Sequence, residues 1–282
     1  MKTKNKISAI IPVYHGEKTI EETLKSIKGV VDEIIIVHDG PCKDNTLKIS
    51  RKYTKKVYIR PHKGRSAFPF AFGLKKAKYN WILKLDDDES LSKPLRANIR
   101  KLIERKDADA FSFIHPLWDG KKSITKTWPR KTALVRKSKI SYLGFPGFDM
   151  TINHVGKTEK TNYVMIHKPE KNQDVGWLGF REKVLKRYAP DQAKNLLKDF
   201  SEFPTFQYRE KDFPLKIRIR KKFPLMTNFI YAALTFPKHV FLDEAWKEGH
   251  LALNVELKSF IYNTYLGYLI HKEKRKQRKN KS

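Results

Sequence analysis

Short apolar runs alternate with helix-like stretches through the first hundred residues, and each polar cluster of interest follows directly on an apolar run. Residues 7–13, 33–37, 57–59 and 81–85 read as strands, and 17–27, 44–53, 70–78 and 94–105 as helices. This alternation predicts βαβ units around a mostly parallel sheet, hence an α/β fold. Sheets of this kind bind ligands beyond the carboxyl ends of their strands, where loops and helix N-termini converge. Residues 110–166 are strand-like but broken by Gly and Pro, which predicts a mixed-sheet half. From 179 the pattern turns helical, over 181–188, 191–200, 225–234 and 244–270. In the last of these, Leu253, Leu257, Phe260, Ile261, Tyr265, Tyr268 and Leu269 fall on one predicted face. The predicted organisation is a catalytic unit over 1–178, divided at 105/106, a helical region over 179–270 and a basic tail over 271–282. No internal repeat or long linker interrupts it.

The charge balance asks for a partner. The 60 Lys and Arg against 30 Asp and Glu leave a formal +30, which suits nucleic acid, an anionic membrane surface, phosphate-bearing substrates, or simply a heavily solvated Lys-rich surface. Residues 271–282 carry seven Lys or Arg and one Glu, a local +6. No recognition helix or aromatic stacking motif gathers the basic residues, so a nucleic-acid partner is not expected. An anionic membrane suits basic residues beside amphipathic helices. The longest uncharged stretches, 223–237 and 259–270, span fifteen and twelve residues, short of the ~20 that cross a bilayer. The single cysteine, Cys42, excludes an intrachain disulfide. With no apolar leader at the N-terminus, a cytoplasmic protein is expected, peripheral on the inner face of the cell membrane.

Leu85-Asp86-Asp87-Asp88-Glu89 closes the fourth predicted strand. Adjacent carboxylates raise one another's pKa, so three in a row beside an apolar strand call for a compensating cation, such as a divalent metal carrying a diphosphate. A solvated acidic turn opening the next helix is the alternative. Val37-His38-Asp39-Gly40-Pro41-Cys42-Lys43-Asp44-Asn45-Thr46 forms a second cluster, a strand end and tight turn before a helix. There Asp39 is placed to accept from a base or ribose, and Asp44 to cap the helix.

These residues resemble the family 2 glycosyltransferases of the GT-A fold. The likeness rests on Ile10-Ile11-Pro12-Val13-Tyr14 with Glu17, on Val37-His38-Asp39-Gly40 through Asp44-Asn45-Thr46, and on residues 81–89. It implies a Rossmann-like mixed sheet with helices on both faces and a C-terminal helical appendage. It also implies a nucleotide-sugar donor, UDP-sugar favoured, bound by Pro12, Tyr14, Glu17, Asp39, Arg65, Asp86 and Asp87, with Mn²⁺ or Mg²⁺ on Asp86, Asp88 and His167. Members usually carry two acidic residues where His38 and Asp39 stand, which leaves Asp39 as the expected base contact. Asp87 stands where a small residue is common, so a solvent-facing side chain is the other reading. More weakly, Pro129–Arg136, Phe148-Asp149, Gly156, His167 and Phe241-Leu242-Asp243 resemble the subgroup acting on lipopolysaccharide-core and similar cell-surface acceptors. That implies transfer to a glycan or lipid-linked acceptor, with Asp149 as general base in an inverting reaction. His154 and Asp174 are the reserves for that role. For Arg65 a solvated loop charge, and for His167 a hydrogen-bonded structural histidine, remain open. A sugar nucleotidyltransferase would carry a Gly-rich basic loop after the first strand, where this chain has Val13-Tyr14-His15-Gly16-Glu17.

Overall fold

The computed structural model describes residues 5–62, 66–145, 148–169, 176–197, 215–242 and 245–279, with the backbone alone for 141–151, 153, 195 and 215–218. Its strands are β1 (Ile7–Val13), β2 (Glu33–Asp39), β3 (Val57–Arg60), β4 (Trp81–Lys84), β5 (Glu89–Leu91), β6 (Ala110–Ile114), β7 (Arg130–Arg136), β8 (Ile140–Phe145), β9 (Phe148–His154) and β10 (Thr158–His167). The first four helices are α1 (Ile20–Ile27), α2 (Thr46–Arg51), α3 (Ala67–Lys76) and α4 (Lys93–Glu104).

Every residue of β1 is buried, and period-2 alternation explains why both of its faces are apolar. Ile7, Ala9, Ile11 and Val13 share one core with Leu24 and Ile27 of α1 and Leu95 and Ile99 of α4. Ile10 points the other way, into a core with Phe70 and Leu74 of α3. A helical layer therefore covers each face of the sheet.

Eight strands run in the order β3-β2-β1-β4-β7-β6-β10-β5, and β8 and β9 form a separate hairpin. Pairing is parallel for β1–β2, β1–β4, β2–β3 and β6–β10 and antiparallel for β4–β7, β6–β7 and β5–β10. This is the mixed α/β sheet that the residues imply. The chain winds outward from β1 to β3 and returns to place β4 on the opposite side of β1. That reversal makes the β1/β4 border a topological switch point, where the loops part and leave a crevice. Pro12 fits there without losing a ladder bond. The Leu85 N–H donates to Ile10 O at 3.2 Å, so Pro12, two residues on, faces the same side just beyond the end of β4.

The C-terminal region departs from its predicted boundaries. A short α5 (Trp177–Gly179), a π-helical stretch (Phe180–Tyr188) and α6 (Ala189–Leu197) follow one another without a break. The helix α7 (Leu215–Lys222) was not expected, because Leu-Lys-Ile-Arg-Ile-Arg alternates as a strand would. Tertiary contacts override that pattern: the buried Arg220 donates from Nε to Asn228 Oδ1 at 2.5 Å and from Nη2 to Asn263 Oδ1 at 3.0 Å. These partners lie on α8 (Pro224–Pro237) and α9 (His250–Lys279). The residues from 271 on continue α9 to Lys279, in a run of good helix formers.

The face of α9 also differs from expectation. Its buried residues are Ala252, Glu256, Lys258, Asn263, Leu266, Gly267 and Ile270, whereas Leu253, Leu257, Tyr265 and Tyr268 are exposed. Close approach to α8 decides this, since a Cβ on Gly267 would meet Pro224 O at 2.8 Å. Only a small residue permits that crossing. The N-terminal end of α9 packs on the segment between β6 and β7, where Ala245 and Ala252 share a cluster with Leu117 and Trp128.

Candidate active site

Asp86, Asp87 and Asp88 leave the end of β4 in a closed turn. The Asp86 N–H donates to Glu89 Oε2 at 2.9 Å, and the Glu89 N–H to Asp86 O at 3.2 Å. The turn sends the three aspartates in different directions. Asp86 Oδ2 lies 2.7 Å from Lys131 Nζ, which also holds Glu89 Oε1 at 2.5 Å. Asp87 turns toward α1 rather than facing solvent: it accepts from Thr19 Oγ1 at 2.9 Å, and its carbonyl accepts from Thr23 Oγ1 at 2.8 Å. Asp88 Oδ2 stands 3.5 Å from Nε2 of His167 at the end of β10. The His167 ring stacks on His115 at 4.6 Å between centroids, and His115 Nε2 bonds Glu89 Oε1 at 2.7 Å.

These environments set the charges. Burial opposes ionisation of Asp86 and Glu89, but Lys131 holds both below the ordinary carboxylate range, aided by Lys84 at Asp86 and by His115 at Glu89. Burial likewise opposes the Lys131 charge, and the two acids raise its pKa in return. Burial and then the neighbouring Asp88 push Asp87 up to about 7, against the hydrogen bond from Thr19. The cluster is thus compensated at Asp86 and Glu89 and turned inward at Asp87, which leaves Asp88 with His167 as the carboxylate–imidazole pair. Two ligands of one divalent ion stand about 3 Å apart, so this pair fits a cation with little movement.

The other side of the switch point is lined by rings. Tyr14 follows β1 and is 52% exposed, its ring 4.7 Å from His62 and 4.1 Å from His15. Asp39 ends β2, nearly buried, with Oδ2 3.2 Å from His62 Nδ1. Gly40 makes this approach possible: its φ is +108°, and a Cβ there would meet His62 Cβ at 2.9 Å. Glu17 is turned to the start of α2, where Oε2 accepts from Asn45 N at 3.0 Å and Nδ2 at 3.2 Å. Asp44, expected to cap that helix, lies one residue before its N-cap, Asn45, and accepts the Thr46 N–H at 3.0 Å. Gly16 joins the two sides, since a Cβ on it would meet Asp87 Oδ2 at 2.3 Å.

Pro12, Tyr14, Glu17, Asp39, Asp86, Asp87, Asp88 and His167 all lie at the ends of β1, β2, β4 and β10 or in the loops that follow. Arg65 and Asp174 lie outside the described residues. Asp149 is on β9 by its backbone, its side chain outside the described set. His154, on the same strand, bonds Thr158 Oγ1 at 2.7 Å. Sequence reasoning missed His15, Thr19, His62, His115 and Lys131. Lys131 had a signal: buried acids at 86 and 89 require a cation, and Lys131 lies in a strand-like stretch. The histidines had none, because only folding brings them together.

The model of glycosyl transferase family 2 matches residues 8–188. The chain belongs to glycosyl transferase family 2. A Rickettsia conorii protein named an uncharacterized glycosyltransferase is 30% identical over 221 residues, 72% of this chain and 74% of that one. Among solved structures, S. aureus TarS in complex with UDP-GlcNAc is similar at 16% identity and a TM-score of 0.46, over 92% of this chain and 81% of that chain. Glucosyl-3-phosphoglycerate synthase from Mycobacterium tuberculosis, in complex with Mn²⁺ and UDP-glucose, is similar at 13% identity and a TM-score of 0.42, over 59% and 72%. As a family 2 member the chain is a glycosyltransferase.

In this family 2 glycosyltransferase, Lys131→Met is expected to lower stability by ~3–5 kcal/mol at neutral pH, because it leaves Asp86 without its ion-pair partner and the buried Glu89 with His115 alone. Both acids have depressed folded-state pKa values, so their stabilising contribution is present above the unfolded pKa of about 4 and fades as pH falls. The gap between wild type and Lys131→Met should therefore narrow toward acid. Urea unfolding at several pH values measures it; a constant gap would contradict the pairing.

Proposed function

We propose that this glycosyltransferase moves a sugar from a nucleoside-diphosphate donor, UDP-sugar favoured, to a glycan or lipid-linked acceptor, with inversion, in cell-surface polysaccharide or glycolipid synthesis. One observation supports this above the rest: the aromatic and acidic group at Tyr14, Asp39 and His62 and the carboxylate–imidazole pair at Asp88 and His167 stand at the carboxyl ends of strands of one sheet, on the two sides of the β1/β4 switch point. Tyr14 and His62 offer faces for a base, and Asp39 an acceptor for its N–H or for ribose. Pro12 keeps the β1 side of the crevice clear of ladder partners, Glu17 holds the wall at α2, and Arg65 is the proposed brace for a phosphate. Mn²⁺ or Mg²⁺ is the proposed cofactor, held by Asp88 and His167 with Asp86 lending its second oxygen, and when bound it would offset charge on the departing diphosphate. Asp87 ties the acidic turn to α1 and so sets the distance between base pocket and cation. Asp149 is the proposed base for the acceptor hydroxyl. Screening donor hydrolysis across nucleotide sugars with Mn²⁺ tests the reading: a preferred UDP-sugar and loss of turnover in EDTA are expected, and metal-independent turnover would refute it.

The same proposal places the enzyme on an anionic membrane. No helix among the described residues is long and apolar enough to cross one. However, Leu225, Met226, Phe229, Ile230 and Leu234 of α8 are exposed, as are Phe241 and Leu242 just beyond it. A groove beside them is lined by Lys222, His271, Lys274, Arg275 and Arg278. An apolar face rimmed with cations matches a bilayer interface, where each Lys or Arg contributes ~1 kcal/mol. The protein should float with phosphatidylserine liposomes at low salt and be released as the Debye length shrinks toward ~3 Å at 1 M salt. A chain ending at Ile270 should bind more weakly, and indifference of the full chain to anionic liposomes would end the idea.

A further inference from the structure

Four potential metal ligands, none of them Asp88 or His167, converge beside the proposed base pocket. His15, His38, Cys42 and Asp44 each bring one ligand atom into a group whose members all lie within 4.8 Å of one another. They come from two loops, His15 from the one after β1 and the others from the end of β2 and the turn that follows it.

Three details prepare this group for an ion. The Nδ1 of His38 donates to Gly40 O at 2.7 Å, which fixes the tautomer and leaves Nε2 with its lone pair. That lone pair meets only a weak donor, the His15 N–H at 3.4 Å. The Nδ1 of His15 is buried without a hydrogen bond, 3.9 Å from Asp44 Oδ1. His15 is also the one non-glycine residue with positive φ, 54°, among the described residues. A strained backbone that aims an orphaned nitrogen into a cluster of ligands is a cost that folding alone does not explain. Finally, Cys42 Sγ donates to Asp44 Oδ1 at 3.1 Å, so the thiol and the carboxylate already stand in contact.

We propose that His15, His38, Cys42 and Asp44 bind a thiophilic divalent ion of the zinc type, clipping the β1–α1 loop to the β2–α2 loop. Two imidazoles, a thiolate and a carboxylate are a tetrahedral donor set for zinc, unlike the hard oxygen set preferred by Mg²⁺. In such a site neighbouring ligand atoms stand about 3.3–3.6 Å apart, so side-chain shifts of about 1 Å close the cluster. On binding, the thiol loses its proton to solvent and sulfur takes the ion. Because the ring of Tyr14 lies 4.1 Å from His15, an occupied site would also fix the Tyr14 ring. The site stands on its own ligands and does not depend on the donor proposed above.

Co²⁺, titrated alone into the metal-free full-length protein, is the probe, since zinc has no visible spectrum. One equivalent should produce the intense visible bands of a tetrahedral site and a thiolate-to-cobalt charge-transfer band, both removed by stoichiometric Zn²⁺. Cys42→Ser should lose the charge-transfer band and bind at least tenfold more weakly, and His38→Ala should weaken binding similarly. Asp88→Ala should keep bands and affinity, which separates this site from the proposed catalytic cation. Thermal unfolding of the metal-free variants checks that they fold. No charge-transfer band in the wild type, or one that survives Cys42→Ser, overturns the proposal; loss of the bands in Asp88→Ala does so too.

Discussion

Asp88→Ala should lower the turnover number by ~10³-fold or more and leave the fold nearly intact. The proposed cation supplies several kcal/mol of charge stabilisation at the leaving diphosphate, and each ~1.4 kcal/mol is a factor of ten in rate. Asp88 differs from its neighbours in what its loss exposes. Removing Asp86 would leave Lys131 with Glu89 alone, and removing Asp87 would break the bond to Thr19, whereas Asp88 faces His167 across 3.5 Å. Taking one of three adjacent like charges away also relieves repulsion. Steady-state kinetics with Mn²⁺, alongside thermal unfolding, checks both halves of the expectation. Full activity in the variant would dismiss the cation site, while a large loss of stability would show Asp88 to be structural.

Asp149→Asn should cut turnover by ~10²-fold or more with the donor dissociation constant little changed. The amide keeps the shape of the carboxylate but cannot take the proton of an acceptor hydroxyl. The proposed base lies on the β8–β9 hairpin, a unit separate from the eight-stranded sheet, while the proposed donor residues follow strands of that sheet. Acceptor chemistry and donor binding should therefore come apart in this variant. Donor affinity by titration and turnover with acceptor present are the paired measurements. A loss under about threefold, well below what a general base contributes, would move the role to His154 or Asp174.

The sequence by itself determined the elements that set the crevice. Apolar runs at β1, β2 and β4 could bury only as central strands, and a polar cluster directly after each could lie only at the strand ends. The three carboxylates after β4 were legible for the same reason, because like charges in a row beside a buried strand need a partner. Periodicity is a local property, and these features are local.

Tertiary structure alone decided what those residues touch. Lys131 reaches Asp86 and Glu89 across 45 and 42 residues, His62 reaches Asp39 across 23, and His15 meets His38 by way of two loops. No spacing rule connects such pairs, since loop closure carries no sequence signature. The helical region shows the same limit: α7 lies outside the predicted helices, yet is a helix whose Arg220 bonds asparagines on α8 and α9. On α9, Leu253, Leu257, Tyr265 and Tyr268 stay outside while Ala252, Asn263 and Gly267 go in beside Leu266 and Ile270, because Gly267 lets α8 come close. Hydrophobicity says which residues benefit from burial, but which face is buried depends on the shape of the neighbour it must fit.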